Sequence, residues 1–248
     1  MPKFFVSDES INNNVVTITG ENAHHISRSL RMAPGEEITV SDERGMQYDC
    51  VLESFTDTCV YAKIIKNYQS TSELPVRVHL YQALPKGEKL DLIIQKSVEC
   101  GVYDITTFES ERCIVKVKGD SEDRKLDRRN KIALEAAKQS GRGIVPHVNR
   151  TVSYREMLEI AGKHDAVFFC YEGDGTEPFG HRLKKLKAER TITDMAIIIG
   201  SEGGFSDVEA TAAAEHGFIM TGLGKRILRT ETAPLVALAC VVYEFELS

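Results

Sequence analysis

No apolar stretch in the sequence approaches the roughly 20 residues that a membrane-spanning helix needs, and the opening "MPKFFVSDES" turns polar too early for a secretory signal. The expectation is therefore no membrane association and a cytoplasmic location. None of the six cysteines (Cys50, Cys59, Cys100, Cys113, Cys170 and Cys240) stands in a C-x-x-C pair, and most lie in apolar runs. That excludes a disulfide framework or a cysteine zinc site and implies buried, reduced thiols. The paired His24-His25 has no third ligand nearby, so packing rather than metal ligation is expected there, and no metal site is expected anywhere. Nor is there an excess of positive charge: the net charge of −6 excludes an indiscriminate polyanion binder. The chain also lacks G-x-G-x-x-G, a P-loop and a G-x-S-x-G elbow, as well as internal repeats and low-complexity segments.

The charge that is present is unevenly spread. From Arg112 to Arg155 there are twelve Lys/Arg against five Asp/Glu, a local +7, which leaves −13 for the rest of the chain. Such an island suits either one localised polyanion site or a solvated helix face.

Residues 1 to about 70 read as short strands separated by turn signals: "NVVTITG", "EEITVSDERGMQYDCVLES" and "CVYAKIIKN", with a helical turn or two near "NAHHISRSLRM". A small β-barrel or sandwich is expected over 1–70. The polar, proline-terminated "YQSTSELP" then puts a linker at 71–75, and a second domain runs over 76–248. In that domain strands alternate with helices. "VRVHLYQAL", "DITTF", "AVFFCYE", "MAIIIG" and "FIMTGLG" read as strands. Helices are expected over "GEKLDLIIQKSVECG" and "RKLDRRNKIALEAAKQSG", from the S-x-x-E boxes at Ser153 and Ser206, and from near Pro234. The pattern implies an α/β fold with a mostly parallel sheet.

Ligands of such sheets bind beyond the carboxyl ends of the strands. Three loops qualify: "YEGDGT", "GSEGGFS" and "GLGKRILRTETAP". Each alone reads as a tight turn, but three in one chain point to a ligand site. The acid inside "GSEGG" disfavours a pyrophosphate, so a small polar cofactor fits better.

"IIIGSEGGFSDVE" followed by "LGKRILRTETAPLVAL" resembles the two cofactor-binding motifs of the SPOUT methyltransferases. Together with "HHISRSLRMAPGE", "ALPKGEKLDLIIQKSVECGV" and "SERCIVK…RRNKIALEAAKQSGR", the chain resembles the RsmE family, which methylates N3 of a uridine in 16S ribosomal RNA. Ser201 stands where proline is commoner in that family. The resemblance implies a PUA-like RNA-binding β-barrel followed by a SPOUT domain with a trefoil knot, working as a homodimer. It implies S-adenosyl-L-methionine bound by Tyr171, Glu172, Ile199, Gly200, Ser201, Glu202, Gly203, Gly204, Leu223, Gly224, Ile227, Leu228 and Arg229.

Arg229 and Glu231 are the expected catalytic pair, a cation for the uracil anion and a carboxylate to orient the base or take its proton; bracing the knot through an ion pair is the other role open to them. Arg28, Arg31, Lys86, Arg112 and Arg142 are the expected RNA contacts. The stretch "PLVALACVVYEF", apolar around its whole circumference up to Glu244, suits a dimer helix or a central helix of one subunit. The alternatives are a non-catalytic RNA-binding or ribosome-assembly factor, or a SPOUT enzyme acting on tRNA or a ribose 2′-oxygen.

Overall fold

The computed structural model describes residues 1–116 and 122–248. Lys118 and Asp120 of the basic island lie outside the described residues. Two compact units are present, one of residues Met1–Glu73 with Ala137–Val145, the other of Leu74–Ala136 with Pro146–Ser248.

The first unit is built on a six-stranded sheet of β1 (Lys3–Phe5), β2 (Ile11–Asn12), β3 (Val15–Thr19), β4 (Glu37–Ser41), β5 (Met46–Phe55) and β6 (Cys59–Gln69), in the order β1-β4-β5-β6-β3-β2. The period-2 alternation of these strands puts Val16, Ile18, Cys50, Leu52, Val60 and Ala62 on one buried face. Ile26, from the turns that continue the short helix α1 (Gly20–His24), packs into that core. β5 carries irregularities between Asp49 and Cys50 and between Leu52 and Ser54. Bulges of this kind bend a strand and increase its twist, so the sheet curls, while β1 and β2 stay at its two edges. His25 of the histidine pair packs edge-on against the Phe4 ring.

The 137–145 segment is fastened into this unit by ionic contacts. Arg142 is only 3% exposed, and its Nε donates to both oxygens of Glu73, at 3.0 and 3.1 Å, while Nη2 donates to Oε2 at 2.5 Å. The Gly143 N–H adds a bond to Glu73 Oε1 at 2.7 Å. Burial pushes the Glu73 carboxyl up, but the guanidinium and these N–H groups outweigh it and hold the carboxyl below its ordinary range. Arg142 therefore sits inside the unit on a carboxylate, and the expectation of an exposed RNA contact is corrected: its guanidinium is already committed.

The second unit centres on a seven-stranded sheet. β7 (Arg77–Ala83), β8 (Asp104–Glu109), β9 (His147–Ser153), β10 (Ala166–Cys170), β11 (Glu177–Pro178), β12 (Asp194–Ile199) and β13 (Ile219–Gly222) run in the order β11-β13-β10-β12-β7-β8-β9. Every pairing in it is parallel. The helices are α2 (Lys89–Glu99), α3 (Glu122–Gln139), α4 (Tyr154–Ala161), α5 (Phe179–Glu189), α6 (Asp207–Glu215) and α7 (Ala233–Val242), with the end of α3 belonging to the first unit. Ser153 and Ser206 both close reciprocal capping boxes, with Glu156 and Glu209. α7 packs against α2, α5 and β12. Much of the basic island is paired: Arg128 grips Asp91 at 2.5 and 2.8 Å and Arg150 meets Asp123 at 2.5 Å.

Candidate functional site

β10 lies between β12 and β13, all running the same way, so the loops leaving their carboxyl ends emerge side by side. Together they line a cleft of about 810 Å³. Tyr171, Glu172, residues 199–204, Leu223, Gly224 and residues 227–229 are all on its wall.

The 200–206 loop is held from several sides. The Gly204 N–H donates to the Ser201 carbonyl at 3.0 Å, closing a tight turn in which Gly204 has φ +65°. Only glycine takes that backbone freely. A Cβ on Gly203 would lie 2.9 Å from Arg112 Cβ, and Arg112 Nη1 donates to the Gly203 carbonyl at 3.0 Å. Phe205 anchors the loop in the core between Phe108 and Phe169, with ring centroids 6.3 and 4.2 Å away. Glu209 secures the start of α6, accepting from the Ser206 N–H at 3.0 Å and the Glu111 N–H at 2.8 Å.

Beneath the loop, Gln82 and Thr230 share one acceptor. The Thr230 hydroxyl donates to the Gly200 carbonyl at 2.8 Å, and Gln82 Nε2 reaches the same oxygen at 3.3 Å and Thr230 Oγ1 at 3.0 Å. Both residues are buried. Ser201 Oγ is buried among these groups without a hydrogen-bond partner, as is Glu231 Oε2. On the next loop the Tyr171 hydroxyl donates to Asp207 at 3.1 Å; burial and then that carboxylate push its pKa up.

Charges gather at one rim. Lys89 Nζ donates to Glu202 at 2.8 Å and lies 3.7 Å from Glu231 Oε2. Burial alone would push the Glu202 carboxyl up, but Lys89 and the Lys86 N–H, which donates at 3.1 Å, hold it down. The Glu202 hydrogen bond in turn raises the Lys89 ammonium. Arg229 is 83% exposed, with Nη1 3.9 Å from Glu231 Oε1, while the Glu231 side chain is 16% exposed.

The structure thus gathers the nominated cofactor residues, Arg229 and Arg112 on one cleft, with Glu231 behind Arg229 and off the cleft wall. Ile227, nominated for an apolar contact, lines the cleft and is 83% exposed as a residue. Lys86 is exposed beside the cleft through its bond to Glu202. Arg28 and Arg31 are exposed on the first unit. Lys89, Gln82 and Thr230 escape a reading of the sequence alone. Gln82 carries a signal, a polar residue flanked by Leu80, Tyr81, Ala83 and Leu84 at the carboxyl end of "VRVHLYQAL".

Two family models match the chain: an RNA methyltransferase PUA domain over residues 18–65 and an RNA methyltransferase domain over residues 72–242. The ribosomal RNA small subunit methyltransferase E of Bacillus subtilis is 35% identical over 93% of this chain and 91% of its own length. Among solved structures, a putative methyltransferase from Legionella pneumophila with bound S-adenosylmethionine superposes with a TM-score of 0.81 at 29% identity, covering 97% of this chain and 96% of that one. A ribosomal RNA small subunit methyltransferase E from Neisseria gonorrhoeae, also bound to S-adenosylmethionine, gives 0.78 at 32% identity over 98% and 97%. Matches of this extent across both units establish that the chain belongs to the ribosomal RNA small subunit methyltransferase E family of S-adenosylmethionine-dependent RNA methyltransferases.

Proposed function

We propose that this chain methylates N3 of a uridine in 16S ribosomal RNA of the small ribosomal subunit, acting in the cytoplasm as a homodimer whose C-terminal unit is a trefoil knot. The observation that carries the chemistry is the exposed Arg229 guanidinium on the cleft, with the Glu231 carboxylate held between it, at 3.9 Å, and the Lys89 ammonium, at 3.7 Å.

The cleft suits the methyl donor. Its volume of about 810 Å³ falls within the range of small-molecule sites. Glycines 173, 200, 203, 204, 222 and 224 stand on its wall, where no Cβ blocks approach to the main chain, and Ser201 Oγ there has no hydrogen-bond partner. Glycines 200, 203, 204 and 224 would hold the nucleoside part through backbone groups, with Leu223, Ile227 and Leu228 against the adenine. When bound, S-adenosylmethionine supplies a methyl group on a sulfonium sulfur.

Uracil N3 carries a proton at neutral pH, and each unit by which its pKa is lowered is worth about 1.4 kcal/mol. Arg229 stays protonated at any relevant pH and serves as the cation at O2 or O4, stabilising the developing anion. Glu231, with Oε1 3.9 Å from Arg229 Nη1, orients that guanidinium, and a carboxylate or an ordered water takes the N3 proton. Arg112 on the cleft, Lys86 beside it, and Arg28 and Arg31 on the first unit are assigned to RNA phosphates, which position the substrate without specifying its sequence. The half-exposed flank of α7 and the exposed Tyr243 and Leu247 beyond it support a second copy of the chain against this end.

Calorimetric titration with S-adenosylmethionine comes first, comparing wild type with Gly203→Val, whose side chain must displace the loop from Arg112. Wild-type binding lost in the folded variant supports the cradle. Small subunits from a methylation-deficient strain are then the substrate for wild type and Glu231→Gln, with the product nucleoside identified by mass spectrometry. Cofactor binding by wild type without N3-methyluridine in 16S RNA refutes the proposed reaction.

A further inference from the structure

The strands of the second unit's sheet are all parallel, so their amino-terminal ends share the edge opposite the cleft. There, side chains distant in sequence converge. His79 near the start of β7 and His164 just before β10 stack with ring centroids 4.2 Å apart. Asp194, the first residue of β12, bridges them: His79 Nε2 lies 2.9 Å from Oδ2, and His164 Nδ1 is hydrogen-bonded to Oδ1. One donor atom from each of the three residues can be drawn so that all lie within 4.8 Å of one another. The side chains are 10, 13 and 18% exposed, shielded but open to small solutes.

The outward nitrogens of both rings are also held. His79 Nδ1 lies 3.0 Å from Asp104 Oδ1, and His164 Nε2 lies 2.9 Å from the Tyr81 hydroxyl. A ring whose far nitrogen is fixed by a carboxylate or hydroxyl, with the near nitrogen turned to a shared point, is the arrangement that orients metal-binding histidines. Nothing in the methyl-transfer reading uses these residues.

We propose that His79 Nε2, His164 Nδ1 and the Asp194 carboxylate bind a divalent transition-metal ion of the zinc class. Two imidazoles and one carboxylate suit zinc, whereas magnesium and calcium take oxygen donors. Bond lengths near 2.1 Å put donors around a tetrahedral ion about 3.4 Å apart, so the ion opens both Asp194 contacts, to His79 at 2.9 Å and the shorter one to His164, and draws together ligand atoms that now span up to 4.8 Å. His79 keeps its proton on Nδ1, donating to Asp104. His164 carries its proton on Nε2, donating to the Tyr81 oxygen, and water completes the coordination. The ion replaces the hydrogen bonds that Asp194 makes to both rings, and it competes with Arg77, whose Nε lies 3.6 Å from Asp194 Oδ2. Because the ligands come from β7, the segment before β10, and β12, the ion ties together three chain segments and stabilises the unit by mass action.

The test is a titration of chelator-treated full-length protein with Co²⁺, read by visible absorption, followed by displacement with Zn²⁺. The expected result is the d–d bands of a four- or five-coordinate site saturating at a single Co²⁺ per chain, bleached by an equal amount of Zn²⁺ but not by excess Mg²⁺, with a raised melting temperature. His164→Gln and Asp194→Asn abolish the bands. Asp104→Asn leaves all three ligands in place and weakens binding about 10–100-fold, so it decides the matter should the ligand variants not fold. Absence of the bands from wild type, their persistence at unchanged strength in Asp194→Asn, or an Asp104→Asn affinity equal to wild type overturns the proposal.

Discussion

The Gly200 carbonyl, with two donors converging on it, permits a quantitative test of how the 200–206 loop is supported. In Thr230→Val the carbonyl loses the hydroxyl at 2.8 Å but keeps Gln82 Nε2 at 3.3 Å, and Nε2 retains Ala83 O at 3.1 Å. No buried group is orphaned, so the cost is about one net hydrogen bond, roughly 1 kcal/mol. Gln82→Met removes the other donor but also the Gln82 Oε1 that has no partner, so it costs about the same or less. The double variant leaves the carbonyl with neither donor, and an unsatisfied buried acceptor costs about 1–3 kcal/mol. The double-mutant cycle is therefore expected to show about 1 kcal/mol or more of destabilisation beyond the sum of the singles. Urea unfolding by circular dichroism measures the cycle, and calorimetry with S-adenosylmethionine reads its effect on the loop, each 1.4 kcal/mol appearing as tenfold in Kd. Additivity within about 0.3 kcal/mol would mean that the two side chains do not share the carbonyl as described.

Other consequences are separately measurable. Glu73→Gln takes the carboxylate from a guanidinium that is 3% exposed; the expected loss is about 3 kcal/mol, at the low end for a broken buried pair because Glu73 keeps some water contact. In wild type the folded Glu73 carboxyl titrates below its unfolded value near 4.5, so its contribution is full above that value and is lost as the pH falls through the folded one. Melting curves between pH 7 and pH 3 should fall less steeply for Glu73→Gln, and an unchanged slope would refute the linkage. Lys89→Met takes the ammonium from both Glu202 and Glu231, leaving Glu231 only Arg229 at 3.9 Å. It is expected to lower kcat several-fold while changing S-adenosylmethionine affinity less, and the deficit should shrink at high salt, where the carboxylates are screened. Ser206→Ala removes the cap of α6 and is expected to cost about 1 kcal/mol, or about 2–4 °C in melting temperature for a chain of this size.

What the sequence reveals depends on whether a feature is local. The glycine loop after β12, the S-x-x-E caps and the apolar strands are short-range patterns, and they appear where the period and the cap chemistry put them. The edge strand β9, "HVNRTVS", is not legible in the sequence because it pairs only with β8 and lacks an apolar run. The helix α5 is hidden as well, its Phe179, Leu183 and Leu186 spaced helically but interleaved with a basic stretch. Arg142 misleads because a basic residue beside glycines suggests exposure, while the partner that buries it, Glu73, lies 69 residues earlier. The His79–His164–Asp194 cluster is invisible for the same reason: its members are brought together by parallel strand register alone.

The first unit is discontinuous in sequence, and that has a consequence in time. Glu73 is made long before the 137–145 segment that supplies Arg142 and the Gly143 N–H. At about 5–20 residues per second of synthesis, the 72 residues from Glu73 to Val145 take roughly 4–14 s. Through that interval the nascent sheet can curl and bury Val16, Ile18 and Leu52, but Glu73 has no guanidinium to close on. The first unit is thus completed only after residues 74–136 of the second have been synthesised, and a nascent chain stalled at residue 75 holds it unfastened.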